Sequence, residues 1–208
     1  MTEGEPAFVQ ELVEQLAARG VSHVRIERHG VPAHASDRRS ASPVPHHMFL
    51  IETAARSDHD LASHVGPRAA NIRKVERAAV EVAEIRTEAE MDIFANRMAE
   101  TAERMRSAAV YPEMFFRTVF RRMVPRGQAL FLLTRSHDQP LAAQMYLVGA
   151  DRLTYYHGAF TRDRELTPKH SPTATFWHAL RLAAKRGLRV LDMGAGTRRA
   201  IEPTPIFP

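Results

Sequence analysis

Four groups of residues in this 208-residue chain carry side chains able to do chemistry. The first is Tyr155-Tyr156-His157, inside an apolar run from Leu153 to Phe160. A tyrosine hydroxyl can orient a pyrophosphate or a sugar, and an imidazole can serve as general base near neutral pH. A strict period of two puts Tyr155 and His157 on one strand face and Tyr156 on the other. The second group is Lys169-His170-Ser171-Pro172-Thr173, a lysine and a histidine just ahead of a Ser-Pro helix start. Such an N-terminus attracts an anion, because its first amides have no partner within the helix. The third is Arg68, Arg73 and Lys74, where arginine can clamp phosphate oxygens with two parallel hydrogen bonds. The fourth is Asp192 at the end of a strand-like run, which joins His157 as the candidates for proton transfer. Plainer roles stand beside each of these. The tyrosines and the histidine can cover a half-exposed sheet, and the basic residues can line a solvated helix face. Anion binding is the chemistry most of them share, and no single catalytic residue emerges.

Composition narrows the classes. With 44% hydrophobic and 25% charged residues the chain can bury a core, and it is not disordered by composition. The absence of cysteine removes disulfides, thiolate metal sites and cysteine nucleophiles. No metal site is expected: His46-His47 lies in a Pro-rich stretch, and His59 and His64 stand off the same-face helical register. No apolar run reaches the roughly 18–20 residues of a membrane span, and the start lacks the regions of a signal peptide, so the cytoplasm is the default location. A net charge of +5 suits an anionic partner, such as a nucleotide-linked or lipid-linked precursor or tRNA. The preference for Arg over Lys and the abundance of Ala are also what a GC-rich coding sequence produces.

The elements that must position these groups follow from periodicity. Residues 6–19 read as a helix stopped by Gly20, then Val24 to Ile26 as a short strand and 30–45 as loop. This piece cannot bury its own apolar face, and residues 1–48 are expected to be part of an N-terminal subdomain. Met48–Thr53 reads as a strand, Asp58–Val65 as a short helix, and a helix restarts after Gly66-Pro67. Val80–Ile85 alternates as a strand. Thr87-Glu-Ala-Glu90 is a capping box opening a long helix with Met91, Phe94, Met98, Ala102 and Met105 on one face. Another helix follows Pro112. Ala129–Thr134, Leu141–Val148 and Leu153–Phe160 are joined by loops too short for parallel crossovers, so they form an antiparallel meander. Gly158 is the expected place for a bend or bulge. A helix from Ser171 to Gly187 and a strand Leu188–Met193 complete the order. The fold class is α+β: a mostly antiparallel sheet with helices on both faces. A domain over 49–196 and an irregular tail over 197–208 are expected.

Within that order, Asn71-Ile-Arg-Lys-Val-Glu-Arg77 leads into a strand. Later, Ala184-Lys-Arg-Gly187 runs into a strand ending Asp192-Met-Gly194. In spacing and sequence these resemble the FemAB-like branch of the GNAT acyltransferases over residues 49–195. The resemblance implies aminoacyl or acyl transfer to an amine, in cell-wall or exopolysaccharide precursor biosynthesis. It implies an acyl donor in a slot where two neighbouring strands splay, with a helix N-terminus at the donor's anionic part. No cofactor is expected to be tightly bound. The donor is expected to be aminoacyl-tRNA, with acyl-CoA ranked second, because the 161–170 connection holds no glycine for a pyrophosphate loop. Substrate contacts are expected from Arg68, Arg73, Lys74, Tyr155, Tyr156, Lys169, His170, Ser171 and Thr173. Family members continue past the Asp-x-Gly strand to a lysine-bearing segment, whereas only twelve residues follow Gly196 here, including Pro203, Pro205 and Pro208. The chain is therefore expected to be truncated at both ends, and one alternative is a truncated, non-catalytic relative. A second alternative is an S-adenosylmethionine-dependent methyltransferase, since Val190-Leu-Asp-Met-Gly-Ala-Gly196 has the form of a strand and glycine turn that approach a nucleoside cofactor.

Overall fold

The computed structural model describes residues 5–20, 47–54, 57–65, 69–77, 80–105, 111–161 and 171–196. The expected strand at 24–26, the loop at 30–45 and the tail at 197–208 lie outside these described residues. The chain divides into two compact units, Met1–Pro45 and His46–Pro208. In the first, helix α1 spans Glu5–Ala18, and Gly20 beyond it takes the left-handed conformation (φ 79°).

The second unit follows in the expected order: β1 (His47–Glu52), α2 (Asp58–Ser63), α3 (Ala69–Arg77), β2 (Glu81–Glu84), α4 (Glu88–Arg104), α5 (Glu113–Met123), β3 (Ala129–Ser136), β4 (Gln139–Val148), β5 (Arg152–Phe160), α6 (Ser171–Lys185) and β6 (Val190–Gly196). Six strands form one sheet in the order β1-β6-β5-β4-β3-β2. Every neighbouring pair is antiparallel except β5 and β6, which are parallel. The meander β3–β4–β5 is as the short connections required. It also removes the methyltransferase alternative: Val190–Gly196 is β6, antiparallel to β1, in a sheet with no doubly wound parallel unit.

Two hydrophobic layers sandwich the sheet. On one face α4 and α5 bring Met91, Phe94, Phe116 and Phe120 against Phe131 and Met145. On the other, α2, α3 and α6 bring Leu61, Ile72, Trp177 and Leu180 against Leu132 and Tyr146. The nearly continuous apolar runs of β3 and β4 are buried on both faces, as expected of interior strands. The capping box forms: the Glu90 amide donates to the Thr87 hydroxyl, and Glu90 accepts from the Thr87 amide. The methionine stripe is core through Met98, but Met105, just past the helix end, is 68% exposed.

What matters for function is how the α4–α5 pair meets β5. Arg117 of α5 reaches Glu88 and Asp92 of α4 as well as its own Glu113, which sets the two helices side by side. At the end of α4, Arg104 donates to the Phe160 carbonyl at 3.3 Å and lies over the Phe160 ring. The end of α4 is thus held against β5, and Phe115 and Phe116 at the start of α5 meet Tyr156 and His157 of β5.

Candidate functional site

The sheet opens in one place. β5 and β6 pair through Arg152↔Val190, Leu153↔Leu191 and Thr154↔Asp192, and no further. Both strands continue past that point, β5 to Phe160 along β4 and β6 to Gly196 along β1. From Tyr155 and Met193 onward the backbones no longer pair with each other. The result is a fork whose inner edges carry main-chain donors and acceptors directed across the gap.

Each arm of the fork bulges just beyond the last shared pair. On β5, Tyr155 opposes Tyr146 while His157 opposes Met145, so Tyr156 is an extra residue relative to β4. On β6, Asp192 opposes Leu50 while Ala195 opposes Met48, so Met193 and Gly194 together face one residue of β1. A bulge bends its strand and raises the local twist. Two of them on flanking ladders turn the arms away from their paired stem. The expected bend at Gly158 is therefore displaced: Gly158 pairs in register with Gln144, and the irregularity falls at Tyr156.

The β5 bulge also overturns the period-two expectation that Tyr155 and His157 share a face. Tyr155 packs on Tyr146 and Phe176, on the α6 side of the sheet. Tyr156 and His157 both turn to the α5 side. There the Tyr156 hydroxyl donates to the Tyr111 hydroxyl at 2.9 Å, and the His157 ring stacks on Phe116 with its edge toward Tyr111. The fork thus has a phenol on one side and an imidazole on the other. Burial holds the His157 pKa below the ordinary imidazole value, which keeps the ring neutral and able to accept a proton. Burial pushes the Tyr155 hydroxyl up to about 12, so it stays protonated and able to donate. Gly158 makes room for that hydroxyl, since a Cβ there would lie 2.6 Å from it. The Tyr146 hydroxyl, fully buried beside Tyr155, donates to Gln144 Oε1 and so forms part of the supporting floor.

Asp192 sits at the crotch of the fork with 0% exposure. Its Oδ2 pairs with Arg152 Nη1 at 3.2 Å, and its Oδ1 accepts the Gly194 amide at 2.9 Å. These contacts engage the carboxylate in holding backbone and Arg152.

Of the remaining expected residues, Thr173 lies on α6 one turn before Phe176, so it shares the helix face that reaches Tyr155. Lys74 is exposed on α3, and no described contact ties it to the fork. Arg68, Lys169 and His170 lie outside the described residues, as do the side chains of Arg73 and Ser171. No group of three His, Asp or Glu side chains among the described residues could hold a metal ion. Sequence reasoning missed Arg152 and Tyr111. No local pattern marks them, because their roles arise from strand pairing and helix packing. The Asp192–Gly194 contact did carry a signal: Asp-x-Gly is the pattern in which a carboxylate takes the amide two residues on.

A family model described as acetyltransferase (GNAT) domain matches residues 67–200. No curated protein sequence matches the chain. Among solved structures, FemX superposes with a TM-score of 0.64 at 13% identity, covering 94% of this chain and 61% of its own. L-PGS from Bacillus licheniformis follows at a TM-score of 0.52 and 11% identity, covering 78% of this chain and 48% of its own. A conserved protein of unknown function from Bacteroides thetaiotaomicron also reaches 0.52, at 8% identity, covering 74% and 52%. This chain spans about three-fifths of the length of FemX and about half of the other two. These likenesses are likenesses of fold.

Proposed function

Because this chain belongs to the acetyltransferase (GNAT) domain family, which makes it an acyltransferase by class, we propose that it moves an aminoacyl group onto an amine. The reaction would be FemAB-like, on a cell-wall or exopolysaccharide precursor in the cytoplasm. The observation that carries this reading is the fork between β5 and β6, bulged at Tyr156 and flanked by Tyr155 and His157 on opposite sides. No described helix is long and apolar enough to cross a membrane.

The donor's activated ester lies in the fork, where slot-facing main-chain groups of β5 bind it as they would an added strand. The N-terminal amides of α6 take its phosphate, assisted by Thr173, Ser171, Lys169 and His170. The acceptor's own anionic groups are the natural partners of Arg68, Arg73 and Lys74. The acceptor amine approaches from the α5 side. Its nitrogen bonds to the ester carbon, and a main-chain N–H at the Tyr156 bulge stabilises the oxyanion. His157 takes the proton released by the nitrogen. The carbon–oxygen bond to the ribose then breaks, and the Tyr155 hydroxyl donates its proton to the departing oxygen. Base and acid thus act from opposite sides of one carbonyl. The connection 161–170 has no glycine for a CoA pyrophosphate, which ranks acyl-CoA second to aminoacyl-tRNA.

The test is turnover of the purified chain with aminoacyl-tRNA or acetyl-CoA, using a lipid-linked peptidoglycan precursor as acceptor. Transfer from the aminoacyl donor is expected, and His157→Ala should lower kcat by about 10²–10⁴. Efficient turnover with acetyl-CoA alone would replace this reading with an ordinary acetyltransferase.

A further inference from the structure

We propose that Asp192 is a positioning residue that latches the β5–β6 fork open; its consequence for donor binding rests on the reading that the acyl donor lies in that fork. Gly194 stands where the β6 ladder to β5 has ended, with φ at 86°. A Cβ on Gly194 would lie 4.0 Å from the Tyr155 carbonyl oxygen, so the β6 backbone still passes near β5 at this point. A free amide here would have that carbonyl of the facing arm to turn to, because a part-buried N–H without a partner is costly. Asp192 Oδ1 removes that option by accepting the Gly194 amide at 2.9 Å.

The same bond explains the bulge. By tying residue 192 to residue 194, it folds Met193-Gly194 into a compact turn, and these two residues then oppose a single residue of β1. The left-handed φ of Gly194 is open to glycine without strain. A buried carboxylate needs a charge partner to hold this position, and Arg152 supplies it from the last paired segment of β5. One side chain therefore spans the junction. It is anchored to the stem through Arg152 and directs the Gly194 amide away from β5. The latch leaves the Tyr155 carbonyl and the slot-facing groups beyond it available to a bound amide or ester chain.

Amide hydrogen exchange and inter-strand nuclear Overhauser contacts test the latch with no substrate present. In the wild type, the amides of residues 156–160 that β4 does not use should exchange fast, and the Gly194 amide slowly. Asp192→Ala should reverse this: contacts between residues 155 and 194 strengthen, and the slot-facing amides of β5 slow by about tenfold or more. Asp192→Asn keeps an oxygen acceptor and should retain the open pattern. If Asp192→Ala does not fold, Arg152→Met, which removes the ion pair that ties the carboxylate to the β5 stem, should give the same change in weaker form. Binding of 3′-alanylamido-3′-deoxyadenosine, a stable mimic of a charged tRNA terminus, reads the functional consequence. Asp192→Ala should bind it about tenfold more weakly, while Asp192→Asn stays within about threefold of the wild type. A slot whose amides exchange identically in wild type and in Asp192→Ala, or in Arg152→Met if Asp192→Ala is unfolded, overturns the latch. Failure of the wild type to bind the mimic, with the exchange pattern as expected, overturns the donor reading and leaves the latch standing.

Discussion

Gly158→Ala probes the geometry of the fork through a single methyl group. An alanine Cβ at 158 would stand 2.6 Å from the Tyr155 hydroxyl, 3.1 Å from Gln144 Cγ and 3.2 Å from Tyr155 Cε2. The first distance is far inside van der Waals contact, so the phenol must move. It has little room to do so, because its ring is held between Tyr146 at 5.8 Å and Phe176 at 5.1 Å. Overpacking of this kind costs roughly 1–3 kcal/mol, which in a unit of this size lowers Tm by about 2–4 °C per kcal/mol. Most of the cost is assigned to one atom, the Tyr155 oxygen. Tyr155→Phe removes that atom and leaves the next contacts at 3.1–3.2 Å, which neighbours can absorb by small shifts. The double variant Tyr155→Phe/Gly158→Ala should therefore recover at least half of the loss caused by Gly158→Ala alone. The assay is urea unfolding of the wild type, both single variants and the double, read as a thermodynamic cycle. A coupling energy of about 0.5 kcal/mol or more is expected. Strictly additive costs would mean that Tyr155 does not pack over Gly158, and the α6-side placement of its hydroxyl would be wrong.

Three further outcomes are expected of buried groups in the same unit. Burial depresses the pKa of His157, and of His178 likewise, below the ordinary 6.5. The unfolded chain then takes up protons first, so this stability is complete above the ordinary value and is lost as pH falls through it toward the folded values. His157→Phe should flatten, without abolishing, the fall in Tm between about pH 7.5 and pH 5; an unchanged slope would show that His157 is not buried as a neutral ring. The hydroxyls of Thr134 and Thr175 meet at 2.6 Å with 0% exposure on either residue. Thr175→Val, which takes this partner from the buried Thr134 hydroxyl, should cost roughly 1–3 kcal/mol, and the double Thr→Val variant less than the sum of the two single changes, by urea unfolding. Phe94, with edge contacts to Phe116 and Phe131, centres the α4–α5 layer, and Phe94→Ala should destabilise by about 3–5 kcal/mol in the same assay.

The fold was legible in the sequence wherever local periodicity and turn length decide the outcome. Thr87 and Glu90 announced the start of α4, Gly187 the end of α6, and the short links around Asp138 and Asp151 required a meander. The site was less legible. Tyr155, Tyr156, His157 and Asp192 were singled out, and all four line the fork. Their arrangement was misread because face assignment assumes an unbroken period of two, and the extra residue at Tyr156 reverses the phase beyond it. A bulge of this kind depends on the partner strand and on neighbouring ladders, and Tyr-Tyr-His-Gly carries no local mark of it. Gly158 suggested irregularity for the right chemical reason, the lack of a Cβ, but it serves to admit the Tyr155 ring. Arg152 could not be paired with Asp192 from sequence, because forty positions separate them and only the parallel β5–β6 stem brings them together.

The claim on which the account depends is that the fork between β5 and β6 receives the acyl donor. It is tested most directly by titrating isotopically labelled protein with 3′-alanylamido-3′-deoxyadenosine, and separately with acetyl-CoA, while following backbone amide resonances. The account predicts that the aminoacyl mimic shifts amides of residues 155–160 on β5, 193 and 194 on β6, and the first turn of α6, and that acetyl-CoA shifts them weakly. Saturable binding of either molecule that leaves the fork amides unmoved and perturbs another surface would contradict it.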